Sequence, residues 1–192
     1  DLAGARLVGA DLAGAHLSGV DLHGADLSNV DLSRGSVSGD ARCATFENAT
    51  LTGATLYGDL RAANLMFVTA NGDAPLSLAG TLGCLDTCAD PSPWKCTSLA
   101  QAHLPGAVFQ SVTGAGSEFR YADLTGARFP QSSLTHSHFD NSILRFADLA
   151  DTRMDASDFE NADLSGAVVT RSQWRNVGLR NARLDGAHLS EV

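Results

Sequence analysis

An apolar residue, most often leucine or phenylalanine, recurs at every fifth position along most of this chain. The first stretch consists of Leu2, Leu7, Leu12, Leu17, Leu22, Leu27, Leu32 and Val37. The pattern resumes at Phe46, slips by one residue at Leu60 and stops after Leu65. It returns at Leu104 and continues without a slip through Leu189. So short an internal repeat constrains the architecture more than any other feature.

A period of five fits neither ordinary element of secondary structure. On an α-helix five residues advance about 140° beyond a full turn, so the apolar side chains would spiral around every side. On a straight strand an odd spacing places alternate members on opposite faces. All of them point inward only if the chain turns in the same sense after each five-residue segment. The period therefore predicts a coil of very short extended segments around a filled axis.

The neighbours of the central apolar residues agree with a narrow interior. Alanine or serine lies two positions before most central residues between 104 and 189. Glycine lies two positions after many of them, where corners are expected, because turns favour glycine. Small residues beside large ones let a narrow core fill without overlap.

The segments Ala10-Asp11-Leu12, Ala63-Asn64-Leu65 and Ala162-Asp163-Leu164 have the form A-[DN]-L-x-x. This run resembles the pentapeptide-repeat family. The resemblance implies an all-β, right-handed quadrilateral β-helix, in which four pentapeptides form one square coil. The number of central positions then predicts about eight coils. We expect a single domain over 1–192, interrupted by one extruded loop, 71–101, where the repeat fails. The resemblance is specific for fold and says little about function.

Four pentapeptides per coil would stack residues that are twenty positions apart. One column would hold Leu104, Leu124, Leu144, Leu164 and Leu184, another Phe119, Phe139, Phe159 and Leu179, a third Phe109, Phe129, Leu149, Val169 and Leu189, and the fourth Gly114, Leu134, Met154 and Trp174. We expect every central residue from 104 to 189 to be buried, and we interpret the aromatic columns as core.

The net charge of −9 and its distribution limit the classes of partner. Aspartate recurs just before the central residues, at outward positions, and no basic track follows the chain, which argues against direct nucleic-acid binding. Residues 1–60 hold eight acidic residues and three arginines, whereas 104–192 hold eleven and eight. No apolar run approaches the ~18 residues needed to span a bilayer.

The segment 71–101 contains three of the five prolines and three of the four cysteines. A loop of this length is usually functional or fastened. Cys84, Cys88 and Cys96 are disulfide candidates, together with Cys43 in the body of the coil. The sequence does not choose among the three pairings of four cysteines, although a bridge from Cys84 to Cys88 or Cys96 is favoured.

A disulfide would indicate an oxidising compartment, either secreted, periplasmic or an organelle or thylakoid lumen, rather than the cytoplasm. The chain starts at Asp1 within a repeat, which we interpret as a processed or trimmed N-terminus. Zinc held by the loop thiols and His103 is the alternative, but the Cys-x3-Cys-x7-Cys spacing fits no common zinc ribbon.

No catalytic constellation is apparent. His136, Ser137, His138 and Asp140 invite a triad or metal interpretation, but Ser137 occupies an inward position and His138 an outward one, so they cannot converge. We therefore predict a protein that is not an enzyme and has no cofactor or metal.

The sequence predicts a structural or interaction protein, a rigid rod that docks protein partners or a second copy through an end or the insertion loop and serves as a subunit of a larger assembly. The partner-docking candidates are Trp94, Lys95, Trp174 and Leu189. The alternatives are an acidic DNA mimic that binds a type II topoisomerase, as some members of the resembled family do, and a metal or redox role for the cysteine loop. Arginines throughout the C-terminal half disfavour the mimic.

Overall fold

The structure is a computed structural model, and it describes residues 1–70, 73–84 and 96–192. Within these ranges there is no helix, and therefore none long and apolar enough to cross a membrane. The chain winds as a right-handed quadrilateral β-helix of about eight turns, as the resemblance to pentapeptide repeats implies. Neighbouring coils are joined by parallel backbone hydrogen bonds, so each coil satisfies the polar groups of the next.

Seven short strands occur where one side of the square is most extended. They are β1 (His16–Asp21), β2 (Ser36–Asp40), β3 (Thr55–Asp59), β4 (Ser77–Thr81), β5 (Val108–Thr113), β6 (Val168–Thr170) and β7 (His188–Ser190). Strands β1 to β5 form one parallel sheet in chain order, and β6 pairs with β7. The other sides are held by isolated parallel bridges.

The four predicted columns are confirmed in the C-terminal coils, where bridges join residues twenty apart. We name the four faces of the coil by these columns. Face A contains Gly114, Leu134, Met154 and Trp174, face B Phe119, Phe139, Phe159 and Leu179, face C Leu104, Leu124, Leu144, Leu164 and Leu184, and face D Phe109, Phe129, Leu149, Val169 and Leu189.

The core is dominated by stacked aromatic rings. On face B, Phe139 lies between Phe119 and Phe159, with ring centroids 4.6 and 4.7 Å away and planes within 4° of parallel. The rings of Phe109 and Phe129 on face D stack at 4.5 Å. All five rings are fully buried.

Burial fails at the last coil, contrary to the expectation that every central residue is enclosed. Leu179 and Leu184 are only half-buried, and Leu189 is 45% exposed. In this structure no further coil stacks upon them. Gly114, which has no side chain to bury, is also half-exposed.

The coil advances by nineteen residues between the second and fourth turns, as in the bridges from Asp26 to Thr45 and from Thr45 to Asn64. The shortened side runs through β2, β3 and β4, each of which contains a glycine. Gly39, Gly58 and Gly80 have φ of 129, 137 and 122°. A Cβ on Gly58 would lie 2.1 Å from the carbonyl oxygen of Gly39, so only glycine fits this close approach.

The predicted insertion at 71–101 is wrong in its extent. Strand β4 pairs with β3 and β5 in the middle of that segment, and Leu76, Leu78 and Leu82 are at most 2% exposed. Residues 76–82 therefore belong to the coil, and the five-residue repeat is interrupted twice in the sequence, between Ala70 and Leu76 and again between Leu82 and Leu99. Extra residues after Ala70 move these leucines out of phase with the five-residue repeat, so the repeat pattern did not predict that they belong to the coil.

Candidate functional site

A disulfide closes the second interruption at its base. Cys84 and Cys96 are bonded, with their Cα atoms 3.7 Å apart, and they form an antiparallel bridge. This confirms one of the two pairings that the sequence favoured. The two sulfurs bond each other, so neither is a thiolate for the zinc site considered as the alternative.

The same base is fastened by a buried threonine that the sequence analysis did not identify. Thr97 is 0% exposed, and its Oγ1 accepts a hydrogen bond from Gly83 N at 2.9 Å and donates one to the carbonyl of Leu60 at 2.8 Å. Thr97 N donates to the carbonyl of Gly83 at 2.9 Å. Both ends of the interruption are thus anchored to the coil independently of the disulfide.

The remaining cysteine candidates are placed less completely. Cys43 is also disulfide-bonded, and no described cysteine is free. Cys88 and the docking candidates Trp94 and Lys95 lie outside the described residues.

A shallow groove of about 530 Å³ lies beside this base on face A. It is lined by residues 114–116 together with Arg61, Cys84, Thr113 and His136. Gly114 and Gly116 occupy positions that carry the longer side chains of Leu134 and His136 on the next coil. Arg61 is held by Asp59 at 2.7 Å. The groove is lined mainly by glycine, alanine, leucine and threonine, with Arg61 and His136 as its basic side chains.

The docking candidates in the last coils differ from each other. Trp174 is only 9% exposed; its ring stacks on Phe159 at 4.8 Å, and its Nε1 lies 3.5 Å from Thr152 Oγ1. Trp174 is therefore part of the core, and the prediction that it is a docking anchor is wrong because its aromatic face is already covered. Leu189 is accessible, and its docking role stays a prediction.

The repeated aspartates cap turns, a role the sequence analysis did not assign to them. In most of these turns the carboxylate accepts a hydrogen bond from the backbone N–H two residues later. The aspartates are Asp1, Asp11, Asp21, Asp26, Asp31, Asp40, Asp59, Asp123, Asp148, Asp158 and Asp163. The regular Asp-x-x spacing was the signal that such local bonds are made.

These bonds, together with arginine partners, lower several carboxyl pKa values. The hydrogen bond from the Ser33 hydroxyl, with that from its backbone N–H, lowers the pKa of Asp31. Burial raises the pKa of Asp163, but hydrogen bonds from Ser165 and Arg145 outweigh it and lower the value to about 2.

Positive and negative side chains alternate over the surface of the C-terminal coils. Arg145 pairs with Asp163 at 2.6 Å, and Arg171 pairs with Asp151 at 2.6 Å. The acidic surface is therefore interrupted by arginines rather than continuous.

The histidine–serine segment does not form a catalytic triad. Ser137 is fully buried, and His138 Nδ1 lies 3.8 Å from Asp140 on face B. Ligand oxygens of Asp140, Asp158 and Glu160 lie within 4.8 Å of one another, and this is the single cluster of its kind among the described residues. Asp140 also accepts a hydrogen bond from Arg120 at 3.1 Å.

The sequence analysis did not identify four aromatic side chains that are exposed among the described residues. Tyr57 on β3 is 63% exposed, Phe67 37%, Tyr121 61% and Phe146 71%. The signal was available for the last two, because they occupy corner positions where other coils have asparagine or glycine.

Two family models match the chain. The model described as "Pentapeptide repeat region" matches residues 115–189, and that described as "Pentapeptide repeats (8 copies)" matches residues 1–34 and 95–131. The search of curated proteins gave no match.

Several solved structures resemble the chain. HetL, a pentapeptide repeat protein involved in heterocyst differentiation regulation in the cyanobacterium Nostoc sp. strain PCC 7120, is 20% identical, with 96% of this chain and 88% of HetL covered and a TM-score of 0.39. A pentapeptide repeat protein from the Arabidopsis thaliana thylakoid lumen is 24% identical over 47% of this chain and 59% of its own, with a TM-score of 0.37. QnrB1, a plasmid-mediated fluoroquinolone resistance protein, is 16% identical over 95% and 87%, with a TM-score of 0.31.

Proposed function

This chain belongs to the pentapeptide-repeat proteins, and we propose that it is a non-enzymatic interaction protein, a rigid β-helical rod that docks protein partners and serves as a subunit of a larger assembly. The groups at its surface mostly cap turns or pair with each other. A packed coil of this kind offers contact surface rather than a water-excluding cleft.

One observation carries the proposal: the coil keeps its register across the second interruption. Asn64 bridges to Ser98, and Ser98 bridges to Glu118, although thirty-four residues separate the first pair and twenty the second. A segment that interrupts the repeat without shifting the register of the coils on either side, and whose flanking residues are joined by a disulfide and by Thr97, is the arrangement expected of a binding loop.

We also propose an oxidising compartment for the protein. The bond between Cys84 and Cys96 and the disulfide state of Cys43 support it, because protein disulfides persist mainly outside reducing compartments.

The alternative, an acidic DNA mimic that binds a type II topoisomerase, is less well supported. A mimic needs a continuous acidic face, whereas arginines alternate with carboxylates on the C-terminal coils. Protection of a purified topoisomerase from a quinolone would favour the mimic over the scaffold.

Affinity capture with the full chain tests the proposed function. The matched variant lacks residues 85–95, with Cys84 and Cys96 changed to serine. Their 3.7 Å Cα separation is close to the ~3.8 Å between consecutive residues, so a short deletion leaves the coil closed. We expect one partner to be captured by the full chain and lost with the deletion. Equal capture by both proteins would reassign docking to the lateral faces, and no partner with either would contradict the proposal.

A further inference from the structure

Three large apolar side chains are exposed together along face C. Tyr121, Ile143 and Phe146 are 61, 41 and 71% exposed. Ile143 directly precedes the central residue of face C, and the other two occupy the corners that bound this face. The bridge from Asp123 to Ile143 stacks their coils directly on each other. We call these three residues the apolar strip.

Local conformation does not account for the aromatic members of the strip. Tyr121 and Phe146 have φ of 61 and 57°, in the left-handed region that favours glycine and asparagine. The corner of Phe146 holds Gly106, Gly126, Gly166 and Gly186 on other coils, and the corner of Tyr121 holds Asn141, Asn161 and Asn181 on the following coils and Gln101 and Phe67 on the preceding ones. An aromatic residue that accepts an unfavourable conformation and gains little burial points to a function.

Phe146 is also held in place. A Cβ on Gly166 would lie 2.6 Å from the Cδ1 of Phe146, so the ring rests directly on the backbone of the next coil. An aromatic ring fixed before contact loses little conformational entropy on binding.

The charges around the strip include both signs in close alternation. Arg145, with 51% of its side chain exposed, pairs with Asp163 on one flank, and Arg120, 40% exposed, contacts Asp140 on the other. His103 Nδ1 lies 3.0 Å from Asp123 beneath the strip. A surface of this kind is complementary to itself, because a two-fold rotation sets the arginines of one copy against the carboxylates of the other. The acidic N-terminal coils would instead repel a second copy.

We propose that two copies of this chain associate side by side through the apolar strip on face C. The inference rests on the proposed function as an interaction protein and assigns it a partner, a second copy. The surface area that three side chains can bury falls short of the roughly 800 Å² per partner of a standard interface. The flanking charged residues therefore join the contact, and we expect a dissociation constant in the micromolar range for the dimer.

Sedimentation of the full chain between about 1 and 200 μM tests this proposal. The variant Tyr121→Asn, Ile143→Thr, Phe146→Gly takes each replacement from the same position of another coil, namely Asn141, Thr69 and Gly126. We expect it to remain folded, with an unchanged or higher melting temperature, and to dimerise at least about tenfold more weakly. The control Tyr57→Ser removes an equally exposed aromatic on face D and should dimerise like the parent.

A parent that stays monomeric over this range overturns the inference, as does a dimer that the triple variant leaves unchanged or that Tyr57→Ser weakens instead. A monomeric parent that still captures another protein would remove the dimer while leaving the proposed function intact.

Discussion

The coils before and after the second interruption have the same four-sided cross-section, but their cores are packed and closed differently. After Ser98 every coil advances by twenty residues, and stacked phenylalanines fill two faces of the core. Between Asp26 and Asn64 the coils advance by nineteen residues, and the side chains in the core are mostly leucine and alanine. Their shortened side is closed by glycine backbones in direct contact. The repeat therefore fixes the inward pattern, while closure of the coil is achieved either by side chains or by the backbone.

This difference predicts that the two regions are sensitive to different mutations. The C-terminal coils depend on the volume of their aromatic columns, whereas the middle coils depend on the absence of a Cβ at three positions.

The largest effect is expected from Phe139→Ala, which removes the middle ring of the face B stack. We expect a loss of about 3–5 kcal/mol in the free energy of unfolding, because the variant loses the buried apolar surface of the ring and also leaves a cavity in the core. Chemical denaturation measures it. Phe139→Leu is the control and should cost about 1 kcal/mol, since leucine fills this column at Leu99 and Leu179. Equal unfolding midpoints for the alanine variant and the parent would contradict the stacked column.

Gly58→Ala tests the backbone closure of the middle coils. Its Cβ would collide with the carbonyl oxygen of Gly39 at 2.1 Å, in a conformation with φ of 137°, so we expect a loss of about 2–4 kcal/mol. Gly126→Ala is the matched control: its φ is also positive, at 67°, but nothing lies within 4 Å of the added carbon. That variant should lose about 1–2 kcal/mol, measured by thermal unfolding. Similar losses for both variants would show that the close contact does not limit the coil.

The period of five was enough to predict a coil with an inward-pointing residue at each repeat, and the resemblance to pentapeptide repeats implied its four columns of residues twenty apart. It did not predict the coil segment at Leu76 to Leu82, because extra residues at one corner shift the phase while hydrogen bonding to the neighbouring coils preserves the register. Trp174 was assigned to docking because the sequence shows a large aromatic near the end but not the ring of Phe159 beneath it.

The candidate site was predictable only in part. The spacing of Cys84 and Cys96 indicated a bridge, but the choice between partners depended on the return of the chain to the coil at Thr97. The capping role of the aspartates depends on local hydrogen bonds, whereas the apolar strip arises from stacking between coils, which a linear pattern shows only after the register is known.

Removal of the disulfide at the boundary between the two regions should have an intermediate effect. Cys84→Ser with Cys96→Ser releases a closure of twelve residues in sequence and should cost about 2–3 kcal/mol. Thr97 continues to hold the base, so hydrogen exchange should remain slow at the amides of Gly83 and Thr97 even in this variant. Thr97→Val in the parent, with the disulfide intact, is the complementary control. Loss of protection throughout both regions in the serine variant would show that the disulfide, rather than Thr97, maintains the register.

The smallest effect concerns equivalent turns in the two regions, at Asp163 and Asp31. Both carboxylates cap a turn through a serine, but Asp163 also accepts a hydrogen bond from Arg145 at 2.6 Å, and its pKa is lowered to about 2 from the usual 3.8. A lowered folded-state pKa means that the stabilisation is complete above about pH 4 and is lost as the pH falls toward 2.

Asparagine keeps the cap, as Asn64 shows by accepting a hydrogen bond from Met66 N at 3.0 Å, but it removes the charge. Asp163→Asn should therefore lower the free energy of unfolding by about 1 kcal/mol at neutral pH, and it should flatten the decline in that free energy between pH 4 and 2. Asp31→Asn should lower the free energy of unfolding by less than about 0.5 kcal/mol. Urea unfolding at a series of pH values measures both, and an equal cost at the two positions would mean that the arginine partner adds nothing to the turn.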